Sequence, residues 1–282
     1  MSALLRILLL TLLAQLAFTN DRSDTIEQQL VDLMSVLKNK RVAMLTNPTS
    51  VDGSMQPLFD RIISLSKDNN VTFKCFFAPE HGLRGDRQDG KGDDDYIDPI
   101  TGIQVYSLYG VRKAPTNAQL KDVDVLVYDI QDVGARYYTF MWTLTYTIEA
   151  CAANDVEVAV FDRPNPIGRN VEGCPLEFDI GLTGRLLPGQ SFTIPQRYGL
   201  TVAEFVLYLR PYLPSFKLTI IKMMKLYRMQ GHYWVPSSPN IPTLTTTYAY
   251  AGLGMIESTS VSEGRGTTKP FLITGNPSVN AS

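Results

Sequence analysis

Val71-Thr72-Phe73-Lys74-Cys75-Phe76-Phe77-Ala78-Pro79-Glu80-His81-Gly82-Leu83-Arg84-Gly85 decides the reading of this chain. Its first half is rich in β-branched and aromatic residues, the composition of a buried strand. Pro79 ends that strand, because proline has no N–H to give to a ladder. An acid, an imidazole and a guanidinium follow at once, at Glu80, His81 and Arg84. Glu80 and His81 therefore stand just beyond the carboxyl end of a strand, which is where open α/β sheets hold their ligands. A polar loop that happens to carry titratable groups is the plainer alternative.

Upstream, Arg41-Val42-Ala43-Met44-Leu45-Thr46-Asn47-Pro48 reads as a first strand closed by Asn-Pro, and Leu58, Ile62, Ile63 and Leu65 mark a helix between Ser54 and Lys67. With the Val71 strand this makes a βαβ unit. An amphipathic helix from Ser23 to Lys38 precedes it, with Ile26, Leu30, Leu33, Met34 and Leu37 on one side. Downstream, residues 81–101 form a Gly- and Asp-rich loop of about twenty residues, a length that usually carries function or disorder. A short strand over Ile103–Tyr106 and a helix over Asn117–Leu120 lead to the apolar strand Val123–Ile130 and its exit Gln131–Tyr138. A helix over Thr139–Asn154 feeds the strand Val156–Phe161, which ends in Asp162-Arg163-Pro164-Asn165-Pro166.

Three apolar strands thus end in polar clusters, and in a parallel sheet those ends share one edge. The fold class expected is α/β, a mostly parallel sheet with flanking helices. Beyond Asn165 the pattern loosens into a Gly- and Pro-rich stretch to Pro195, a helix over Thr201–Leu209, a strand over Phe216–Met223 and an irregular segment from Trp234 to Thr247. The last cluster is Glu257 to Phe271.

Charge and composition narrow the function. Lys and Arg total 26 against 28 Asp and Glu, with no basic block, so the electrostatic footprint of a nucleic-acid binder is missing. Residues 1–20 place Arg6 ahead of an apolar run from Ile7 to Phe18, with Ala14 and Ala17 near its end, the pattern of a cleaved signal peptide. The run is shorter than the ~20 residues of a bilayer span. The mature protein is expected to be secreted or extracytoplasmic, with no stable membrane anchor. Of the three cysteines, Cys75 and Cys151 read as core packing, and no pair of them, Cys174 included, has metal-ligand spacing. Asn70-Val71-Thr72 is a glycosylation sequon.

Several motifs fail on their chemistry. Gly85 to Lys91 has the spacing of a phosphate loop, but Gly92 replaces its Ser or Thr and Asp93-Asp94-Asp95 replaces its helix. Those aspartates lack the alternating ligands of an EF-hand. No glycine fingerprint follows the first strand, so no dinucleotide cofactor is expected. No G-x-S-x-G elbow exists, and His81 and His232 are the only histidines, too few for a typical zinc hydrolase. No metal and no cofactor are expected. Carboxylates remain, and cleaving a glycosidic bond commonly takes two of them, with arginines and amides to hold the sugar. The pool is Glu80, Asp129, Asp132, Asp162, Glu257 and Glu263.

The blocks Pro79-Glu80-His81-Gly82-x-Arg84-Gly85, Asp98-Pro99-x-Thr101-Gly102-x-x-Val105-Tyr106-Ser107-Leu108-Tyr109-Gly110 and Asp129-Ile130-Gln131-Asp132-Val133-Gly134-Ala135-Arg136-Tyr137-Tyr138-Thr139 resemble a family of secreted exo-β-N-acetylmuramidases. So do Asp162-Arg163-Pro164-Asn165-Pro166-x-Gly168, Pro236-x-Ser238-Pro239-Asn240 and the block from Glu257 through Gly264-Arg265-Gly266 to Phe271. The resemblance runs from Arg41 to Phe271. It implies a Rossmann-like domain, placed here at 21–200, and a smaller C-terminal domain at 201–282, with the cleft between them. Members usually continue for about a hundred residues past the last block, so the second domain is expected to be partial. The resemblance further implies release of N-acetylmuramic acid from the non-reducing ends of peptidoglycan fragments. It matches Glu80 to the proposed catalytic glutamate, with His81 beside it. Near Gly199 such proteins tend to carry a histidine where this chain has Tyr198.

A general acid at Glu80 would need its proton held by burial or by a neighbouring carboxylate. Asp129, Asp132, Glu257 and Glu263 are the candidates for its partner. N-acetylmuramic acid carries a lactyl carboxylate, which a bidentate guanidinium suits best, and Arg136, Arg163 and Arg265 are the prospects. Arg84, Gln131, Asp162, Asn165 and Asn240, in the same blocks, complete the set expected to bind substrate. The rival readings are a non-catalytic sugar- or muropeptide-binding protein and an inactive shortened homologue.

Overall fold

The computed structural model describes residues 26–52, 54–85, 94–175, 194–222 and 234–278. The signal-peptide segment, most of the phosphate-loop look-alike and His232 lie outside the described residues.

The elements follow the apolar pattern of the chain. Helix α1 (Ile26–Leu37) precedes β1 (Arg41–Thr46), α2 (Leu58–Ser66) and β2 (Thr72–Ala78). Then come β3 (Tyr96–Ile97), β4 (Gln104–Ser107), α3 (Asn117–Leu120), β5 (Val125–Asp129), α4 (Phe140–Ala153) and β6 (Glu157–Phe161). Helix α5 (Val202–Leu209), β7 (Leu218–Ile221) and α6 (Leu244–Leu253) complete the set. The strands form one seven-stranded sheet in the order β3-β4-β2-β1-β5-β6-β7. Every pairing is parallel except β3 with β4.

A parallel sheet covered on both faces needs strands that are apolar on both sides. β5 meets that requirement: all five of its residues are buried. Alternation divides the core in two. Ala43, Leu45, Phe77, Leu126, Tyr128, Val158 and Val160 pack with Phe140, Leu144 and Ile148 of α4 and Phe205 and Val206 of α5. Val42, Met44, Phe76, Val125, Val127, Ala159 and Phe161 pack on the opposite face with α1 and α2, through Leu30, Leu33, Leu58 and Ile62.

The α/β class and the mostly parallel sheet match the reading of the sequence. The differences are local. Within the stretch read as an unstructured loop, Tyr96 and Ile97 pair antiparallel to β4, a strand too short to leave a period. Helix α6 starts inside the segment read as irregular. Its Leu-Thr-Thr-Thr run is β-branched and disfavours helix, but Thr243 caps it by accepting from the Thr246 N–H. The boundary expected at residue 200 falls inside the sheet layer, because β7 pairs with β6 from Val158 to Phe161 and α5 packs on the same face.

The strand order fixes where ligands can sit. The chain steps outward from β1 to β2 and β4, then returns to the other side of β1 with β5. The crevice at the carboxyl ends of β1 and β5 is therefore the topological switch point, and open α/β sheets bind there.

Candidate functional site

At that crevice the exits of β1 and β5 are laced together. The Thr46 hydroxyl donates to the Asp129 carbonyl at 3.0 Å. The side-chain oxygen of Asn47 accepts from the Thr49 N–H at 3.0 Å and from the Thr49 hydroxyl at 2.5 Å. Thr49 Oγ1 in turn accepts from the Gln131 N–H at 2.9 Å. Asp129, fully buried, accepts from the Ser50 hydroxyl and from Arg163, at 2.5 Å from Nε and 3.0 Å from Nη2. Removing a carboxylate from water is costly, and this two-pronged guanidinium offsets it.

The second half of the β5 exit carries a different acid. Asp132 is 3% exposed; its Oδ2 accepts from the Gly134 N–H at 2.7 Å and from the Tyr198 hydroxyl. Burial raises its carboxyl to about 6, against the pull of those hydrogen bonds. Gln131 Nε2 donates to the carbonyls of Asp132 and Pro164, both at 2.8 Å, and so joins the exits of β5 and β6. Asn165 Oδ1 accepts from the Ile167 N–H and its Nδ2 donates to the Leu200 carbonyl, both at 3.2 Å. Asp162 Oδ1 accepts from the Ala203 N–H at 2.9 Å in the first turn of α5, and burial moves its carboxyl upward.

Glu80 leaves β2 through a tight turn. His81 has φ of 75° and Gly82 repeats it, a left-handed pair in which the non-glycine member is strained. His81 is 6% exposed and Glu80 is half-buried. The Glu80 carboxylate accepts from the Thr139 hydroxyl at 3.4 Å, and Thr139 is the N-cap of α4. The amino end of this 14-residue helix favours negative charge beside it.

The remaining expected residues are placed as follows. Arg84 donates to both oxygens of Asp98 (2.7 and 2.8 Å) and both of Asp60 (3.1 Å each). Arg84 holds the Asp98 carboxyl down at about 2. Arg136 Nη1 donates to the carbonyls of Cys174 and Ile194, at 2.8 and 2.5 Å, and desolvation lowers its pKa. Arg265 pairs with Glu263 at 2.9 Å and Glu257 at 2.5 Å. The Asn240 N–H donates to Ser238 Oγ at 3.1 Å. Cys75 and Cys151 are buried thiols pushed up to about 12 by desolvation, and Cys174 is exposed.

Glu80, Asp129, Gln131, Asp132, Arg163 and Asn165 thus belong to the exits of β2, β5 and β6, whereas Glu257, Glu263 and Arg265 form an ion-pair group of their own. Aromatic packing connects the two: Tyr250 stacks edge-on with Tyr137, Tyr138 and Phe271, and the Tyr137 hydroxyl donates to the Tyr250 carbonyl at 2.6 Å. Asn47, Thr49, Ser50 and Thr139 were passed over in the sequence, where Asn47-Pro48 read only as a strand stop. The available signal was that the exit of β1 is as polar as those of β2, β5 and β6.

Comparison with known proteins bears on this arrangement. Residues 42–245 match the family described as exo-beta-N-acetylmuramidase NamZ, N-terminal, and residues 248–282 match its C-terminal counterpart. The chain is 40% identical over 263 residues to the peptidoglycan beta-N-acetylmuramidase NamZ of Bacillus subtilis (strain 168), covering 91% of this chain and 62% of that protein. Two crystal structures of DUF1343 family proteins from Bacteroides fragilis NCTC 9343 superpose on it. One has a TM-score of 0.76 at 38% identity, covering 92% of this chain and 66% of the other. The second has a TM-score of 0.70 at 36% identity, covering 89% and 66%. The chain spans a little under two thirds of the length of each.

Proposed function

The chain belongs to the exo-β-N-acetylmuramidase family, and on that premise we propose that it is a glycoside hydrolase releasing N-acetylmuramic acid from the non-reducing ends of peptidoglycan fragments. Glu80 serves as its general acid or base. The observation that carries this reading is the position of the Glu80 carboxylate, at the carboxyl edge of the sheet and against Thr139 at the amino end of α4. A group there can give a proton to the departing glycosidic oxygen, or take one from water, at a point where a sugar can lie across the strand exits.

The substrate-facing roles of the other residues are part of the same proposal. Asp129 and Arg163 set the floor of the crevice by binding each other, and Gln131 and Asn165 hold the exit loops in place. Asp132, with its raised pKa, is the second acid of the crevice. The His81 turn fixes the direction from which Glu80 enters. We assign the protein to an extracytoplasmic location, where such fragments are found, on the strength of the apolar leader-like segment.

The test is Glu80→Gln assayed on a chromogenic glycoside ending in N-acetylmuramic acid. Loss of a general acid or base costs about 10²- to 10⁴-fold in kcat. Activity near that of the wild type removes Glu80 from the chemistry.

A further inference from the structure

Asn47 is an amide at this edge whose orientation the backbone dictates. It is completely buried, and its Oδ1 accepts from the Thr49 N–H. A backbone N–H can donate only to the oxygen of an amide, so the side chain cannot be flipped and its NH2 group must face the other way. That NH2 is buried without a hydrogen-bond partner among the described residues. Folded proteins leave few buried polar groups unsatisfied, and those that remain call for a functional reason.

Register gives its surroundings. Leu45 lies beside Phe77 of β2 and beside Tyr128 of β5. Two residues further along, Asn47 falls level with Pro79, immediately before Glu80, on one side and with Ile130 on the other. Leu45, Phe77 and Tyr128 all face the core under α4. Continuing that alternation one residue past the end of β1 sets the Asn47 side chain on that same face. The Glu80 carboxylate turns to this face too, since it reaches Thr139 at the start of α4.

We infer that Asn47 is a positioning residue for Glu80: its unspent N–H groups are donors that hold the carboxylate, together with the Thr139 hydroxyl, when a saccharide is bound. The inference rests on the reading of Glu80 as acid or base. Thr49 makes the donor rigid, because its N–H and hydroxyl both lock the amide while its oxygen is held by the Gln131 N–H. A donor aimed at a carboxylate favours the ionised form, so deleting the Asn47 amide removes a stabiliser of the Glu80 carboxylate.

The experiment follows the Glu80 side-chain carboxyl by ¹³C NMR titration in the wild type, Asn47→Ala and Asn47→Asp, each free and saturated with N-acetylmuramic acid. The pH profile of kcat/KM is measured alongside. The expected result is an upward move of the Glu80 midpoint by about one pH unit in Asn47→Ala and more in Asn47→Asp, matched by the acidic limb of the profile. A merely structural role would lower the melting temperature without moving the midpoint. A midpoint unmoved in both variants, free and saturated, overturns the inference. If Asn47→Ala does not fold, Asn47→Asp decides alone, because it keeps the contact to Thr49. Should the wild type cleave no muramyl glycoside, the functional reading falls, while the titration still decides whether Asn47 reaches Glu80.

Discussion

The Tyr198 hydroxyl donates to Oδ2 of Asp132 across 66 residues of sequence, joining the segment just before α5 to the exit of β5. The contact lies inside the protein, with Asp132 3% and Tyr198 5% exposed. Oδ1 of the same carboxylate, and the nearby Tyr128 hydroxyl, are buried without hydrogen-bond partners among the described residues. The acid is thus half-satisfied, and burial raises its pKa against the pull of the hydrogen bonds it does accept.

This makes stability fall with pH through a defined window. The folded-state value of about 6 lies above the ordinary 3.8, so between the two the folded protein binds the proton that the unfolded chain has released. The contribution is complete below about 4 and is lost as pH rises to about 6, amounting at most to about 3 kcal/mol for a shift of roughly two units. Asp132→Asn keeps an oxygen for Tyr198 and Gly134 and turns an NH2 toward the unsatisfied side. Melting curves at pH 4.5 and 7.5 should therefore show the variant gaining on the wild type at the higher pH. Tyr198→Phe should do the reverse, since it removes a donor that favours the ionised acid; an equal pH response in all three proteins contradicts the assignment.

Arg163 and Asp129 make a second buried pair, but one whose members are matched. Replacing Arg163 by Met leaves a fully buried carboxylate with only the Ser50 hydroxyl as a side-chain partner among the described residues. Breaking such a pair from one side costs about 3 to 5 kcal/mol. Arg163→Lys should recover less than half of that, because an ammonium cannot reproduce the paired Nε and Nη2 contacts. Urea unfolding of the two variants measures both numbers.

The sheet and its ligand-facing edge were legible because they rest on continuous apolar runs, which burial on both faces demands. Val123–Ile130 and Val156–Phe161 could hardly have been anything else. What was not legible depends on distant partners. Arg163, Arg136 and Arg265 read as prospects for a ligand carboxylate, yet each has protein oxygens around it that only folding brings near: Asp129 from 34 residues away, Ile194 from 58, and Glu257 from 8. Asn47 went unnoticed for the same reason, since the meaning of its amide lies in the Thr49 contact and in the register with Pro79. Helix α6 was hidden by local propensity, which Thr243 and the packing of Tyr250 override.

Gly134 tests how tightly the β5 exit is built. Its φ is 85°, and a Cβ placed there would come within 2.2 Å of Asn165 Oδ1 and 2.8 Å of Ile167. Gly134→Ala combines a left-handed backbone, costing about 1–2 kcal/mol for an L-residue, with an overpacking cost of about 1–3 kcal/mol. A loss of about 3 kcal/mol in chemical denaturation is expected. Asn165→Ala in the same protein should restore part of it by removing the clashing oxygen; no recovery would place the strain elsewhere.

Thr139 offers a cleaner probe of Glu80 than any change to the glutamate itself. Most threonines at a helix N-cap spend the hydroxyl on the first turn, so that removing it costs about 1 kcal/mol of stability. Thr139 makes no such cap bond; its backbone is already helical, and its hydroxyl donates to the Glu80 carboxylate at 3.4 Å. Thr139→Val keeps the shape and deletes only that donor. The expected outcome is a melting temperature close to that of the wild type, with kcat on a muramyl glycoside reduced about fivefold, as for one weak hydrogen bond of ~1 kcal/mol. Thr139→Ser should return to wild-type rates because it restores the hydroxyl. If valine at this position leaves kcat unchanged, the Thr139 contact has no part in holding the carboxylate for catalysis, and the amino end of α4 acts on Glu80 through its dipole alone.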